Sequence, residues 1–178
     1  MTFNQGVWSS NLQWFTKMNT KQLLEKMNNT INEYVSKFGC KSIVGYDFSY
    51  YDDGLIEWTP FVLEESDKYF QKFVKEHYPH IEADTFIWSL FHEIGHHKTR
   101  QMWSEEDMDK FQETSELLES KLETDTNLDN IYDDYFNMEN EITATDWAAK
   151  YLEEHSEEVS EFWDNFVKKY SQYYCNIT

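Results

Sequence analysis

The chain has 178 residues, enough for one domain with a real core, and sets 34 acidic against 15 basic residues for a net charge of -19. That charge argues against direct contact with a nucleic-acid backbone and points to a basic protein surface, or to no charged partner. Hydrophobic residues at 40% and aromatics at 18% argue against global disorder, and no apolar run reaches the ~18 residues of a membrane span.

Met1 to Gln5 shows neither a basic nor an apolar leader region, so the expected location is the cytoplasm, with no membrane contact. Cys40 and Cys175 lie far apart, which suggests neither a disulfide framework nor a thiolate metal site. The first ~19 residues carry Trp8, Trp14 and Phe15 without a clear period and predict an irregular or short helical lead-in. From Thr20, Leu23, Leu24, Met27, Ile31, Tyr34, Val35 and Phe38 form one stripe of a core-packing helix, and Gly39 supplies its stop.

From Lys41 the residues turn β-prone: Ile43, Val44, Tyr46, Phe48, Tyr50 and Tyr51 run into Asp52-Asp53-Gly54, and Leu55, Ile56, Trp58 and Thr59 return. This predicts a small antiparallel hairpin sheet, which either serves as an edge for an extended substrate or only covers the core. A helix is expected over about 62–77, with surface histidines His77 and His80 at its exit. Asp84 or Thr85 then caps the next helix, buried through Phe86, Ile87, Leu90, Phe91 and Ile94. Ser104 opens an acidic helix to about Leu122, followed by a polar connection from Glu123 to Asp134. Helical character returns near Phe136, and a last helix runs from about Ser156 to a frayed Cys175–Thr178 end. The expected fold class is α+β and mostly helical, helices around a small antiparallel sheet, as one domain over 1–178 with an acidic helical insertion or mobile segment at 101–135.

The chemistry concentrates in His92-Glu93-Ile94-Gly95-His96. Histidines at i and i+4 share a helix face and can reach one zinc ion, while Glu93, about 100° round the helix, can address a water without ligating the metal. This is the HExxH arrangement of zinc peptidases, in which Glu93 is the catalytic base. His97 points elsewhere and is a neighbour only, and Gly95 costs a helix about 1 kcal/mol, which a close approach of another backbone would justify. A catalytic zinc needs a third protein ligand. Glu141 opens Glu141-Ile142-Thr143-Ala144-Thr145-Asp146-Trp147-Ala148, a carboxylate on a helix with small alanines, and Glu139, Asp133, Asp134 and His155 are the alternatives.

These two motifs resemble the ImmA/IrrE family of metallopeptidases, common in phages and mobile elements, whose hallmark is HE[LI]GH followed by E-x-x-A-[ND]-x-[FW]-A. His92 to His96 fits the first part; Glu141, Ala144, Trp147 and Ala148 fit the second. The resemblance implies zinc held by His92, His96 and Glu141, and a protein or peptide substrate, with a repressor among the candidates. Thr145 departs where the family often has Asn or Asp, which leaves Thr145 or Asp146 as partner for a ligand histidine. For the oxyanion donor, Tyr46, Tyr50, Tyr151 and His155 stay open. The competing reading is a non-enzymatic acidic interaction protein, a DNA mimic in its sharpest form, with a structural or vestigial zinc site.

Overall fold

The computed structural model describes residues 20–51, 53–60, 64–122 and 128–174. The lead-in with Trp8, Trp14 and Phe15, Asp52 of the turn, residues 123–127 and the Cys175–Thr178 end lie outside the described residues. Within them the order is α1 (Thr20–Val35), β1 (Lys41–Val44), β2 (Ser49–Tyr51), β3 (Leu55–Trp58), α2 (Glu64–His77), α3 (Thr85–Thr99), α4 (Glu105–Leu122), α5 (Leu128–Phe136), α6 (Glu139–Glu154) and α7 (Ser156–Tyr174). The fold is the mostly helical α+β arrangement the sequence predicts.

Helix α1 buries Leu23, Met27, Ile31, Tyr34 and Val35, then tightens into a short 3-10 turn and stops at Gly39, whose φ of 86° suits glycine. The sheet is mixed rather than antiparallel, with strand order β1-β3-β2. The hairpin forms as expected, β2 antiparallel to β3 through Tyr50 opposite Ile56. The correction concerns β1, which takes the other side of β3 in parallel, Ser42 opposite Ile56. Its outer edge is closed by α1: the Ser42 N–H donates to the Asn32 side-chain oxygen at 2.9 Å, and the Asn28 amide donates to the Ser42 carbonyl at 3.1 Å. Covering an edge with side-chain hydrogen bonds leaves it no template for another strand. Strand β2, the opposite edge, lies beside α3.

Helix α3 is the centre of the molecule. The Asp84 carboxylate caps it by accepting the Phe86 N–H at 2.9 Å, and every residue from Phe86 to Gly95 is buried. Phe86 and Trp58 pack on Phe166 of α7, and Phe91 stacks on Tyr151 of α6, so aromatic rings wedge α3 in place. Helix α6 lies along α3, presenting buried Ala144, Thr145 and Ala148. Gly95 is the contact point: a Cβ there would run into the Ala144 carbonyl. Gly95→Ala therefore overpacks the pair by about 2 kcal/mol despite alanine's better helix propensity, and should lower the melting temperature by about 5 °C. An unchanged or higher melting temperature would contradict the close approach.

The acidic excursion consists of α4 and α5. Ser104 and Asp107 form a reciprocal cap at the start of α4, N–H to side chain in both directions at 3.0 and 3.2 Å. The expected polar connection is itself helical from Leu128, because Leu128, Ile131, Tyr132, Tyr135 and Phe136 share one face despite the Asp and Asn between them. No helix among the described residues is long and apolar enough to cross a membrane.

Candidate metal centre

Helices α3 and α6 bring three side chains to one point. His92 Nε2 lies 3.0 Å from Glu141 Oε2, His96 Nε2 lies 3.1 Å from His92 Nε2, and His96 Nε2 lies 3.5 Å from Glu141 Oε2. The i, i+4 spacing stacks the two imidazoles on one face of α3, and the glycine–alanine approach brings Glu141 within reach of both. This group can hold a metal ion.

The hydrogen bonds around the cluster fix what it presents. Thr145 spends its one hydroxyl proton on the Glu141 carbonyl at 2.8 Å, so its oxygen accepts from His92 Nδ1–H at 3.0 Å. Neutral His92 then carries a lone pair at Nε2, aimed at a carboxylate oxygen and a second imidazole nitrogen. Three acceptors at this separation require a cation among them, either a proton or a metal ion. Asn140 donates to Glu141 Oε1 at 2.9 Å, which turns the other carboxylate oxygen towards the histidines. The residues present thus fit a divalent metal with two nitrogen donors and one oxygen donor.

Electrostatics follow the same geometry. Burial lowers His96, but the Glu141 charge and hydrogen bond and the Glu93 charge outweigh it and raise it to about 9. Burial acts to raise Glu141, yet His96 and His92 hold it well below the ordinary carboxylate range. Glu93 is 7% exposed and accepts no hydrogen bond from the described residues. Burial raises its carboxyl, His92 and His96 oppose that shift, and the charges of Glu141 and Asp47 add to it. A buried carboxylate beside a cation site, with no donor among the described residues, is placed to take a proton.

The other candidate ligands lie elsewhere. Glu139, Asp133 and Asp134 are exposed, with Asp133 3.6 Å from Lys72 Nζ, and the His155 ring stacks on Tyr151 at 4.0 Å. No family model, curated protein or solved structure matches the chain. Of the candidate oxyanion donors, Tyr46 is 74% exposed with its N–H held by Glu57, while Tyr151 sits among Phe91, Trp147 and His155. Tyr50 alone among them stacks alongside His96, at 6.3 Å between ring centres, with its hydroxyl 3.4 Å from His97 Nδ1. His97 faces away from the cluster, against Gly39 and Gly54, and His77 and His80 are exposed as expected.

Sequence reading left the partner of the ligand histidine open between Thr145 and Asp146. Thr145 fills the role, and Asp146 instead accepts the Tyr78 hydroxyl at 2.6 Å. Thr145→Val keeps the shape and removes the acceptor for His92 Nδ1–H, so metal affinity should fall about 10–100-fold while Thr145→Ser retains it. Competition with a chelator of known affinity measures this; equal affinity for all three proteins would remove Thr145 from the site.

Proposed function

We propose that the chain is a zinc-dependent metallopeptidase that hydrolyses a peptide bond in a protein substrate. The observation that supports this most is Glu93, a buried carboxylate with no hydrogen-bond donor among the described residues, beside three converging ligand atoms. A structural zinc takes four protein ligands and has no use for a neighbouring base, whereas a catalytic one takes three and leaves a position for substrate or water. Two imidazoles and a carboxylate are a donor set that zinc favours in catalytic sites.

Zinc held by His92, His96 and Glu141 would supply Lewis acidity, polarising the scissile carbonyl and acidifying water. Glu93 takes one proton from the attacking water as its oxygen bonds to the carbonyl carbon. It delivers that proton to the amine nitrogen as the C–N bond breaks, so hydrolysis ends with Glu93 ionised again. Its raised carboxyl suits both roles, since a weaker acid is a stronger base. Thr145 holds the His92 ring, and Asn140 holds the Glu141 carboxylate. The Tyr50 ring lies alongside His96, on the side of the cluster where the His96 side chain is 16% exposed, while its hydroxyl is held at His97. Strand β2, at the edge not closed by Asn28 and Asn32, guides the extended substrate past His96.

The likeness to ImmA/IrrE metallopeptidases rests on the two motifs and adds a repressor as candidate substrate. The test is a proteome-derived peptide mixture incubated with the full chain, zinc-loaded or chelated, with new peptide termini read by mass spectrometry. The proposal expects zinc-dependent termini; none from a fully zinc-loaded protein would overturn it and favour the acidic interaction protein.

A further inference from the structure

A cavity of about 330 Å³ opens where the segment before α3 meets the end of α6 and the start of α7. Ile87 is the residue of α3 in its wall, nine positions and so two and a half turns before His96, which sets the cavity and that ligand on opposite faces of the helix. Neither the three ligand residues nor Glu93 line it. Its floor is apolar and already formed: Ile87, Leu152 and Val159 are buried, and the Trp163 ring is held by stacking on Phe86 at 5.0 Å.

The rim has the opposite character. Glu82, Glu153 and Asp164 are exposed there, and apart from His80 every ionisable side chain lining the cavity among the described residues is a carboxylate. The two helix starts that border it do not invite an anion, because the Asp84 carboxylate caps α3 and Glu157 and Glu158 occupy the first turn of α7. Helix α6 ends at the cavity without a basic residue in its last turn, so its terminal carbonyls add to the negative field.

Apolar depth and acidic rim divide the occupant in two. A lone Lys or Arg pushed inwards would set its charge against Ile87 and Val159, whereas an apolar side chain fills that space and leaves basic neighbours at the carboxylates. We propose that the cavity docks a basic segment of a partner protein: one large apolar side chain seats on Ile87, Leu152 and Val159, and flanking Lys or Arg residues pair with Glu82, Glu153 and Asp164. The net charge of -19 steers such a partner to the surface, and the cavity gives it a fixed position. Docking here goes beyond the peptidase reading and needs neither zinc nor Glu93.

The test uses the isotope-labelled full chain and three acetylated, amidated peptides: Lys-Lys-Phe-Lys-Lys, Lys-Lys-Ala-Lys-Lys and Glu-Glu-Phe-Glu-Glu. Nuclear magnetic resonance should show the first peptide moving the Trp163 indole N–H and the methyl signals of Ile87, Leu152 and Val159, with or without a chelator. Its affinity should exceed that of the other two by about tenfold or more, and should fall by a similar factor in the double variant Glu153→Gln/Asp164→Asn. Ser160→Phe, which fills the mouth of the cavity without changing charge, should block it. All three substituted positions are exposed, so the variants keep the fold. Equal binding of the Phe and Ala peptides, shifts outside the cavity, binding that survives both variants, or no binding at about millimolar peptide each overturn the docking site. None of these results bears on Glu93 or on zinc, so the peptidase reading stands or falls separately.

Discussion

Replacing Glu93 with glutamine should leave zinc content at the wild-type level and, on the peptidase reading, lower peptide cleavage by about 10²–10⁴-fold. The reasoning starts from position. Glu93 is not among the converging ligand atoms, so loss of its charge removes no ligand. Glutamine has the same length and volume, and the site is 7% exposed, so packing is kept. What disappears is the base, because an amide cannot take a proton from water at neutral pH. Zinc content by elemental analysis and cleavage of the peptide mixture are read on the same preparation. Loss of zinc would turn Glu93 into a ligand, and undiminished cleavage would remove it from the mechanism.

His96→Ala has the opposite signature: the protein folds but loses its metal. His96 is the least buried of the three ligands, so its removal disturbs the core least, yet it deletes one of three protein donors. We expect zinc content below about one-tenth of wild type after dialysis, with the helical circular dichroism signal retained. A proton accompanies the metal. In the metal-free chain the Glu141 and Glu93 charges overcome burial and raise His96 to about 9, so at about pH 7.5 it is protonated and zinc must displace that proton. The sign also fixes the stability of the metal-free fold: a raised histidine stabilises fully below its ordinary value of 6.5, and that contribution is lost as pH rises through about 9. Calorimetric zinc titration in two buffers of different ionisation enthalpy should show proton release from wild type and less from His96→Ala. Equal release would place the displaced proton elsewhere.

The ligand set was legible because each part of it follows helical periodicity. His92 and His96 are one turn apart, and Thr145 is one turn after Glu141, so both pairs share a face. Gly95 signalled close packing, and the approach it permits is to the Ala144 carbonyl, three residues beyond Glu141. The stripe of α1 and its stop at Gly39 followed from spacing alone. Contacts between elements distant in the chain were not legible. Pairing of β1 with β3 depends on α1 closing the β1 edge through Asn28 and Asn32, which no local pattern in Lys41–Val44 reveals. The Asp and Asn residues between Leu128 and Phe136 masked an apolar face that packing against neighbouring helices makes decisive. Asn140 was missed because it faces Glu141 from the adjacent position, outside any helical repeat.

The same geometry weighs the two readings of the zinc site. An acidic interaction protein needs the charge of -19 and nothing from Glu93. A peptidase needs Glu93 buried beside the ligands, Thr145 holding one histidine and an edge strand alongside, all of which occur together at α3.

The coordination of the bound metal separates them most directly. Zinc-edge X-ray absorption on the full chain, purified with about one equivalent of zinc, should show two imidazole nitrogens at about 2.0–2.1 Å, one carboxylate oxygen and one non-protein oxygen, with no sulfur. A fourth protein ligand, or sulfur at about 2.3 Å, would close the open position and contradict a catalytic site.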